Sequence, residues 1–232
     1  NKRKKGSLIA NSLAKFSLSR EYSKLTDIMS GFIVFKSQTV LKLVERIDVN
    51  GFKFLYELLS VSNGTFDCKE IPLNFMPRKF GESKLDIAIV WDFMVSLIHS
   101  LSKRLIPRKA ISFAFVGITG VLVQLLISYS FMWFLGFTFQ NVLPIAVILA
   151  ATSNYLVNNW LTFRVNRLRN KALFIGLLKF LLVSSLPIIA NVGLASSFYK
   201  LISPNTFFSQ LAGIIVVFIW NYAASSKLVW KI

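Results

Sequence analysis

The chemistry-bearing residues of this 232-residue chain are few and grouped. The densest group lies in residues 74–84, Asn-Phe-Met-Pro-Arg-Lys-Phe-Gly-Glu-Ser-Lys, where Phe75 is followed by Arg78, Gly81, Ser83 and Lys84. Two cations and a hydroxyl on a glycine-containing loop suit a diphosphate leaving group, because Arg offers a planar fork of donors and Lys a compact charge. The plainer alternative is a solvated basic loop beside anionic lipid. Arg3 and Ser7, four residues apart, share one helical face with Asn11 a turn further on. Asp27 and Glu57 are candidate acids, each as well suited to a cap or a salt bridge as to a direct role in catalysis. One Cys and one His, His99, exclude an intrachain disulfide framework and make a Cys-cluster or His-based metal site implausible, so no metal ligands are assigned within these residues.

Composition sets the surroundings in which those residues work. Twenty-seven Lys and Arg against ten Asp and Glu give a net charge of +17, which by itself suggests nucleic acid. A chain that is 54% hydrophobic, with 22 Phe, is too apolar for an ordinary soluble basic domain, and most aromatics lie in apolar runs rather than among the cations. A nucleic-acid partner is therefore excluded and a membrane expected. All ten acids fall between Glu21 and Asp92, and residues 1–92 hold 15 basic residues, a net of +5; the remaining 140 residues carry twelve basic groups and no acid.

That second part holds four runs, residues 111–135, 142–163, 180–202 and 207–230, each long enough to cross a bilayer core of about 30 Å as a helix of roughly 20 residues. Lys103, Arg104, Arg108, Lys109, Arg164, Arg167, Arg169, Lys171, Lys227 and Lys231 all fall on one side of these runs, which predicts a multi-pass protein with both termini cytoplasmic. A shift of 67 residues aligns Phe113 with Phe180, Val116 with Val183, Phe131 with Phe198, Asn154 with Asn221, Tyr155 with Tyr222 and Phe163 with Trp230. The membrane part reads as two parallel hairpin repeats in a four-helix bundle. Asn154, Asn158 and Asn221 are its candidate polar positions, more often used to bond a neighbouring helix than to hold a lipid head group.

Residues 1–92 read as mixed α and β. Residues 8–16, 39–47 and 52–61 have helical spacing, the last closed by Asn63-Gly64, while 32–35 and 66–71 read as strands. Residues 86–106 present one broad apolar face and predict a helix lying in the membrane interface, with a buried helix of the soluble part as the alternative for its first half.

With these residues in view, the loop at 74–84 resembles the F-x-x-R-x-x-G-x-S-K loop of polyprenyl-phosphate glycosyltransferases of the dolichol-phosphate mannose synthase type, whose catalytic domain is a GT-A domain of glycosyltransferase family 2. Phe75, Arg78, Gly81, Ser83 and Lys84 match throughout. Thr26-Asp27-Ile28-Met29-Ser30-Gly31-Phe32 resembles the family's S-D-P-x-S-G-F segment, with Ile28 in place of Pro. The stretch around Glu57 resembles the family's aromatic-x-x-E, whose acid faces the catalytic cleft, and Arg3 with Ser7 resembles the pair that holds the lipid phosphate. Residues 154–164 resemble the end of the second helix of a GtrA-like membrane domain, with Asn159 where Arg is common.

The resemblance implies an α+β remnant of a GT-A, Rossmann-like domain over 1–85, interfacial amphipathic helices over 86–110 and a GtrA-like four-helix transmembrane domain over 111–232. It implies an enzyme that transfers a hexose from GDP-mannose or UDP-glucose to polyprenyl or dolichyl phosphate, in contact with membrane lipid; whether it forms a homo-oligomer stays open. Arg78, Lys84 and Ser83 would serve the leaving group. No D-x-D motif occurs in the sequence, and no initiator Met opens it. The nucleotide half, with ligands for a divalent cation, Mg or Mn, is therefore expected upstream, and these residues alone are expected to be inactive. The alternative is a GtrA-like translocator of polyprenyl-phosphate-linked sugar without catalysis, which would have no need of residues 1–84.

Overall fold

The computed structural model describes residues 2–44, 46–47, 54–73, 87–201 and 206–231, with side chains described throughout except at 2–5, 139–140, 143, 186–201 and 206–214. The chain divides into two compact units, Asn1–Arg108 and Lys109–Ile232.

The first unit is built from α1 (Lys2–Ser17), a 3-10 turn (Arg20–Lys24), α2 (Ser37–Val44), α3 (Phe54–Ser62) and α4 (Ile87–Leu101). Ala14 of α1, Tyr22, Ile28, Tyr56 and Leu59 of α3, and Phe93 and Leu97 of α4 form its core. A smaller cluster gathers Val40, Ile47 and Leu58. Both core tyrosines use their hydroxyls, as buried phenols must: Tyr22 pairs with Ser62 Oγ and accepts the Phe66 N–H, and Tyr56 pairs with Ser17 Oγ at 2.7 Å. The expected stop of α3 is realised by left-handed Asn63 and Gly64, with φ of 48° and 89°. A Cβ on Gly64 would stand 2.7 Å from the Glu21 carboxylate and 2.8 Å from Ser19 Oγ, so only glycine fits.

Two expectations change here. Residues 32–35 and 66–71 form no strand, and none occurs among the described residues; a strand is made by exchanging N–H and C=O bonds with a paired neighbour, not by an alternating pattern alone. The helix expected over 86–106 ends at Leu101, because Lys103 and Arg104 take positive φ of 51° and 64° and turn the chain before α5. α4 buries Phe93, Val95 and Leu97 and leaves Ile87, Val90, Met94 and Leu101 exposed, so it packs on the core with one face and is apolar on the other.

The second unit is α5 (Arg108–Leu135), α6 (Phe139–Val157), α7 (Asn170–Leu201) and α8 (Thr206–Ala224). α5 closes on Gly136, whose φ of 65° is the left-handed stop a glycine supplies. α7 starts at Asn170, ten residues before its apolar run, since Lys171 and Lys179 interrupt hydropathy but not helical propensity. By length and composition α5 is the helix that qualifies as a membrane span among the described residues. It leaves Ile118, Leu122, Leu125, Leu126, Tyr129 and Trp133 exposed, a surface suited to lipid.

The 67-residue offset reappears in three dimensions. α6 and α8 both pass into a π turn, at Asn158–Thr162 and Ser225–Val229, closed by Phe163 N–H to Asn158 O at 2.8 Å and Trp230 N–H to Ser225 O at 3.2 Å. Phe163 and Trp230 stack on each other with centroids 4.0 Å apart. Around this pair, Phe113–Phe163 matches Phe180–Trp230 (6.4 and 5.9 Å), and Tyr155–Phe180 matches Tyr222–Phe113 (5.6 and 5.7 Å). Each hairpin thus offers its aromatic groups to the other in a pseudo-twofold exchange.

Candidate functional site

Phe75, Arg78, Gly81, Ser83 and Lys84 lie outside the described residues, and Arg3 is described only through its backbone in α1. The described residues that bear on the same chemistry form two polar clusters in the first unit and a third set in the second.

The first cluster joins two motifs that stood apart in the sequence. On α1, Ser7 is exposed and Asn11, a turn on, is buried. Asn11 Nδ2 donates to Asp27 Oδ1 at 3.3 Å while its Oδ1 accepts the Ile28 N–H at 3.2 Å. Asp27 Oδ1 also accepts the Met29 N–H at 3.1 Å, and Ser30 Oγ accepts the Phe32 N–H at 3.2 Å. The segment 26–32 is therefore a turn braced by its own side chains, and Gly31 has open space around it. Glu70, which the sequence did not single out, clamps the other side: it accepts the N–H groups of Thr26 (2.7 Å) and Asp27 (3.0 Å) and the Thr26 hydroxyl (3.0 Å). Hydrogen bonds from Asp27 and Thr26 hold the Glu70 carboxyl below its usual range. Ser7 and Asn11 thus stand a turn apart on α1, with Asn11 bonded to the Asp27 turn.

The second cluster surrounds Glu57, which is only 3% exposed. Arg104 Nη2 lies 3.1 Å from its carboxylate, and Arg108 forms a closer ion pair with the same oxygen. Arg104 also donates to the Arg46 carbonyl and Ser60 Oγ, and Arg108 to Ser96 Oγ. Both guanidiniums meet the one Glu57 carboxylate where α4 gives way to α5. Glu57 therefore ties α3 to that junction, and its carboxylate faces arginines. Nearby, His99 Nδ1 donates to the Ile106 carbonyl at 2.8 Å, and burial pushes its pKa down, so the ring stays neutral.

In the second unit, adjacent asparagines behave differently. Asn159 Oδ1 accepts the Leu168 N–H (2.8 Å) and the Trp230 indole N–H (3.1 Å), while its Nδ2 donates to the Leu168 carbonyl (3.0 Å). It pins the loop after the first hairpin to the end of the second. Ser112 and Thr162 share a buried hydroxyl pair at 2.7 Å. The amide of Asn154 lies where a Cβ on Gly120 would stand, 2.3 Å away, so α5 approaches α6 closely there. The side-chain oxygens of Asn154, Asn158 and Asn221 are buried without a hydrogen-bond partner, each an expense of about 1–3 kcal/mol.

With that geometry established, three similarities bear on it. The family described as GtrA/DPMS, transmembrane domain matches residues 112–230. A dolichol-phosphate mannosyltransferase of Pyrococcus furiosus is 25% identical over 211 residues, covering 89% of this chain and 56% of that protein. A dolichol-phosphate mannosyltransferase of Mycosarcoma maydis is 30% identical over 118 residues, covering 50% of this chain and 37% of that protein. The chain spans about half the length, or less, of these curated relatives.

Proposed function

We infer that this chain, which belongs through residues 112–230 to the GtrA/DPMS transmembrane-domain family and is a membrane protein, is the acceptor-side and membrane portion of a polyprenyl-phosphate glycosyltransferase. The whole enzyme would transfer a hexose from GDP-mannose or UDP-glucose to polyprenyl or dolichyl phosphate. The observation that carries this reading is the reach of the similarity to the Pyrococcus protein: 211 residues exceed either unit alone, so a polar first unit and a membrane second unit are shared together.

The chemistry asks little acid-base work of the protein. A phosphate monoester oxygen is already ionised at pH 7, so the nucleophile needs no strong general base, in keeping with a single His that is neutral and bonded to a carbonyl. Arg3 and Ser7 would hold the lipid phosphate on α1, with Asn11 and Asp27 fixing that helix to the turn at 26–32. Arg78, Lys84 and Ser83 would receive the departing diphosphate, so that catalysis rests on positioning and charge stabilisation. Among the described residues no group of three His, Cys, Asp or Glu could hold a metal, so they do not fit a divalent cation. Ligands for Mg or Mn, with the nucleotide site, are part of the reading as elements outside this sequence.

Four spans with both termini cytoplasmic complete the reading, supported by the one-sided basic loops. Reporter fusions after Arg169 and within residues 136–141 should report opposite sides, and the same side for both would refute it. The lipid-phosphate role is tested by intrinsic tryptophan fluorescence of the purified chain titrated with polyprenyl phosphate and with the parent polyprenol. The phosphate should bind at least tenfold more tightly and lose that margin in Arg3→Ala. Equal binding of both lipids would overturn it.

A further inference from the structure

Four buried oxygens of the second unit have no hydrogen-bond partner: Asn154 Oδ1, Asn158 Oδ1, Asn221 Oδ1 and Ser225 Oγ. Their positions are ordered. Asn154 and Asn158 stand one helical turn apart on a shared face, as do Asn221 and Ser225, and the 67-residue offset carries the first pair onto the second. Both pairs end where the helix changes from α to π geometry, a distortion found mostly at functional sites. Asn158 is 1% exposed and Ser225 0%, so bulk solvent does not satisfy them. One such atom would be a packing accident. Here the two copies differ in residue type at 158 and 225 and still place an unpaired oxygen at the same point of the fold, while neighbouring Asn159 uses every polar atom it has.

The surrounding charge selects the ligand. Residues 93–232 hold twelve basic groups and no acid, so nothing there compensates a bound cation. Amide oxygens are acceptors and would repel an anion. A neutral hydroxyl donates to such oxygens and accepts from a Ser hydroxyl in turn. We propose that each hairpin of the second unit holds one neutral hydroxyl-bearing ligand, at Asn154 and Asn158 in the first and at Asn221 and Ser225 in the second. An ordered water and a hydroxyl of a sugar-bearing lipid head group share this chemistry. The inference depends on the repeat and not on the sugar-transfer reading.

The test is thermal unfolding of the full chain carrying Ser225→Ala, Asn158→Ser or Asn158→Ala, in dodecyl maltoside, whose head group carries sugar hydroxyls, and in dodecyldimethylamine oxide, whose head group has none. Helix propensity alone favours alanine at both positions, and deleting an unpaired buried oxygen should also stabilise. A held hydroxyl reverses both signs. Ser225→Ala should lower the midpoint by about 2–4 °C, and Asn158→Ser should melt above Asn158→Ala, two variants that remove nearly the same volume. These results in both detergents identify a water; in the maltoside alone they identify a head-group hydroxyl. If Ser225→Ala is neutral or stabilising in both detergents, or Asn158→Ala melts at or above Asn158→Ser in both, the paired sites do not exist as proposed.

Discussion

Glu57 in the first unit and Asn158 in the second are both buried polar side chains, and the two units provide for them in opposite ways. Around Glu57 the chain supplies two arginines, and serines bond those arginines in turn, so a charge is buried with its countercharge. Asn158 is buried too, and its side-chain oxygen has no partner among the protein groups. The difference follows from the medium. A unit with ten acids can form charge networks and must neutralise what it buries, whereas a unit without acids relies on aromatic stacking and close backbone approach, such as Gly120 against Asn154.

Three changes sharpen or break this contrast, in descending order of effect. Trp230→Ala should cost the second unit about 3–5 kcal/mol, because it removes the ring stacked on Phe163 and the indole donor to Asn159 together. Thermal unfolding in detergent measures it, and a loss under about 1 kcal/mol would mean that the pseudo-twofold aromatic centre does not hold the hairpins together. Glu57→Ala should cost the first unit about 3 kcal/mol, somewhat reduced by the partial exposure of Arg104, since it removes the buried carboxylate that both guanidiniums share. Glu57→Ala with Arg108→Leu should recover part of that loss; no recovery would show that the ion pair is incidental.

The smallest effect is a pH dependence. Burial lowers the His99 pKa below its ordinary 6.5, so the unfolded chain binds the proton more readily. The stability from neutral His99 is fully present above pH 6.5 and is lost as pH falls through the lower folded value. Glu70, also held low, adds the same sign of dependence only below its ordinary 4.5. Chemical unfolding should therefore show stability declining below pH 6.5 in the native chain, and a flat response from 6.5 to 5 in His99→Gln. An unchanged slope in that variant would place the titrating group elsewhere.

How far such features could be read beforehand depended on whether a residue's partner lies at a fixed spacing. The hairpin repeat was legible because Phe113, Asn154, Tyr155 and Phe163 each have a counterpart 67 positions on, and the contacts of those residues obey the same offset. The π turns at Asn158 and Ser225 were not, since backbone geometry leaves no mark in residue type. The partners of Glu57 lie 47 and 51 residues away, and those of Asp27 and Thr26 at Glu70 lie 43 and 44 away, with no periodicity to connect them. Asn158 and Asn159 are identical residues side by side; which one pins a loop is decided by where Leu168 and Trp230 arrive. Residues 32–35 and 66–71 have strand-like patterns, but a strand exists only with a neighbour to pair with.

The central claim, that residues 74–84 stabilise a leaving diphosphate while α1 holds the acceptor, is tested most directly by steady-state kinetics of the complete enzyme carrying Arg78→Ala beside Arg3→Ala. An interaction that strengthens as the glycosidic bond breaks is read in kcat, and one already present with a charged lipid phosphate is read in KM. Arg78→Ala should lower kcat by on the order of 100-fold to 1000-fold with little change in the acceptor KM, and Arg3→Ala should mainly raise that KM. A near-normal kcat for Arg78→Ala with only a raised acceptor KM would contradict the account and make the loop a lipid-binding surface.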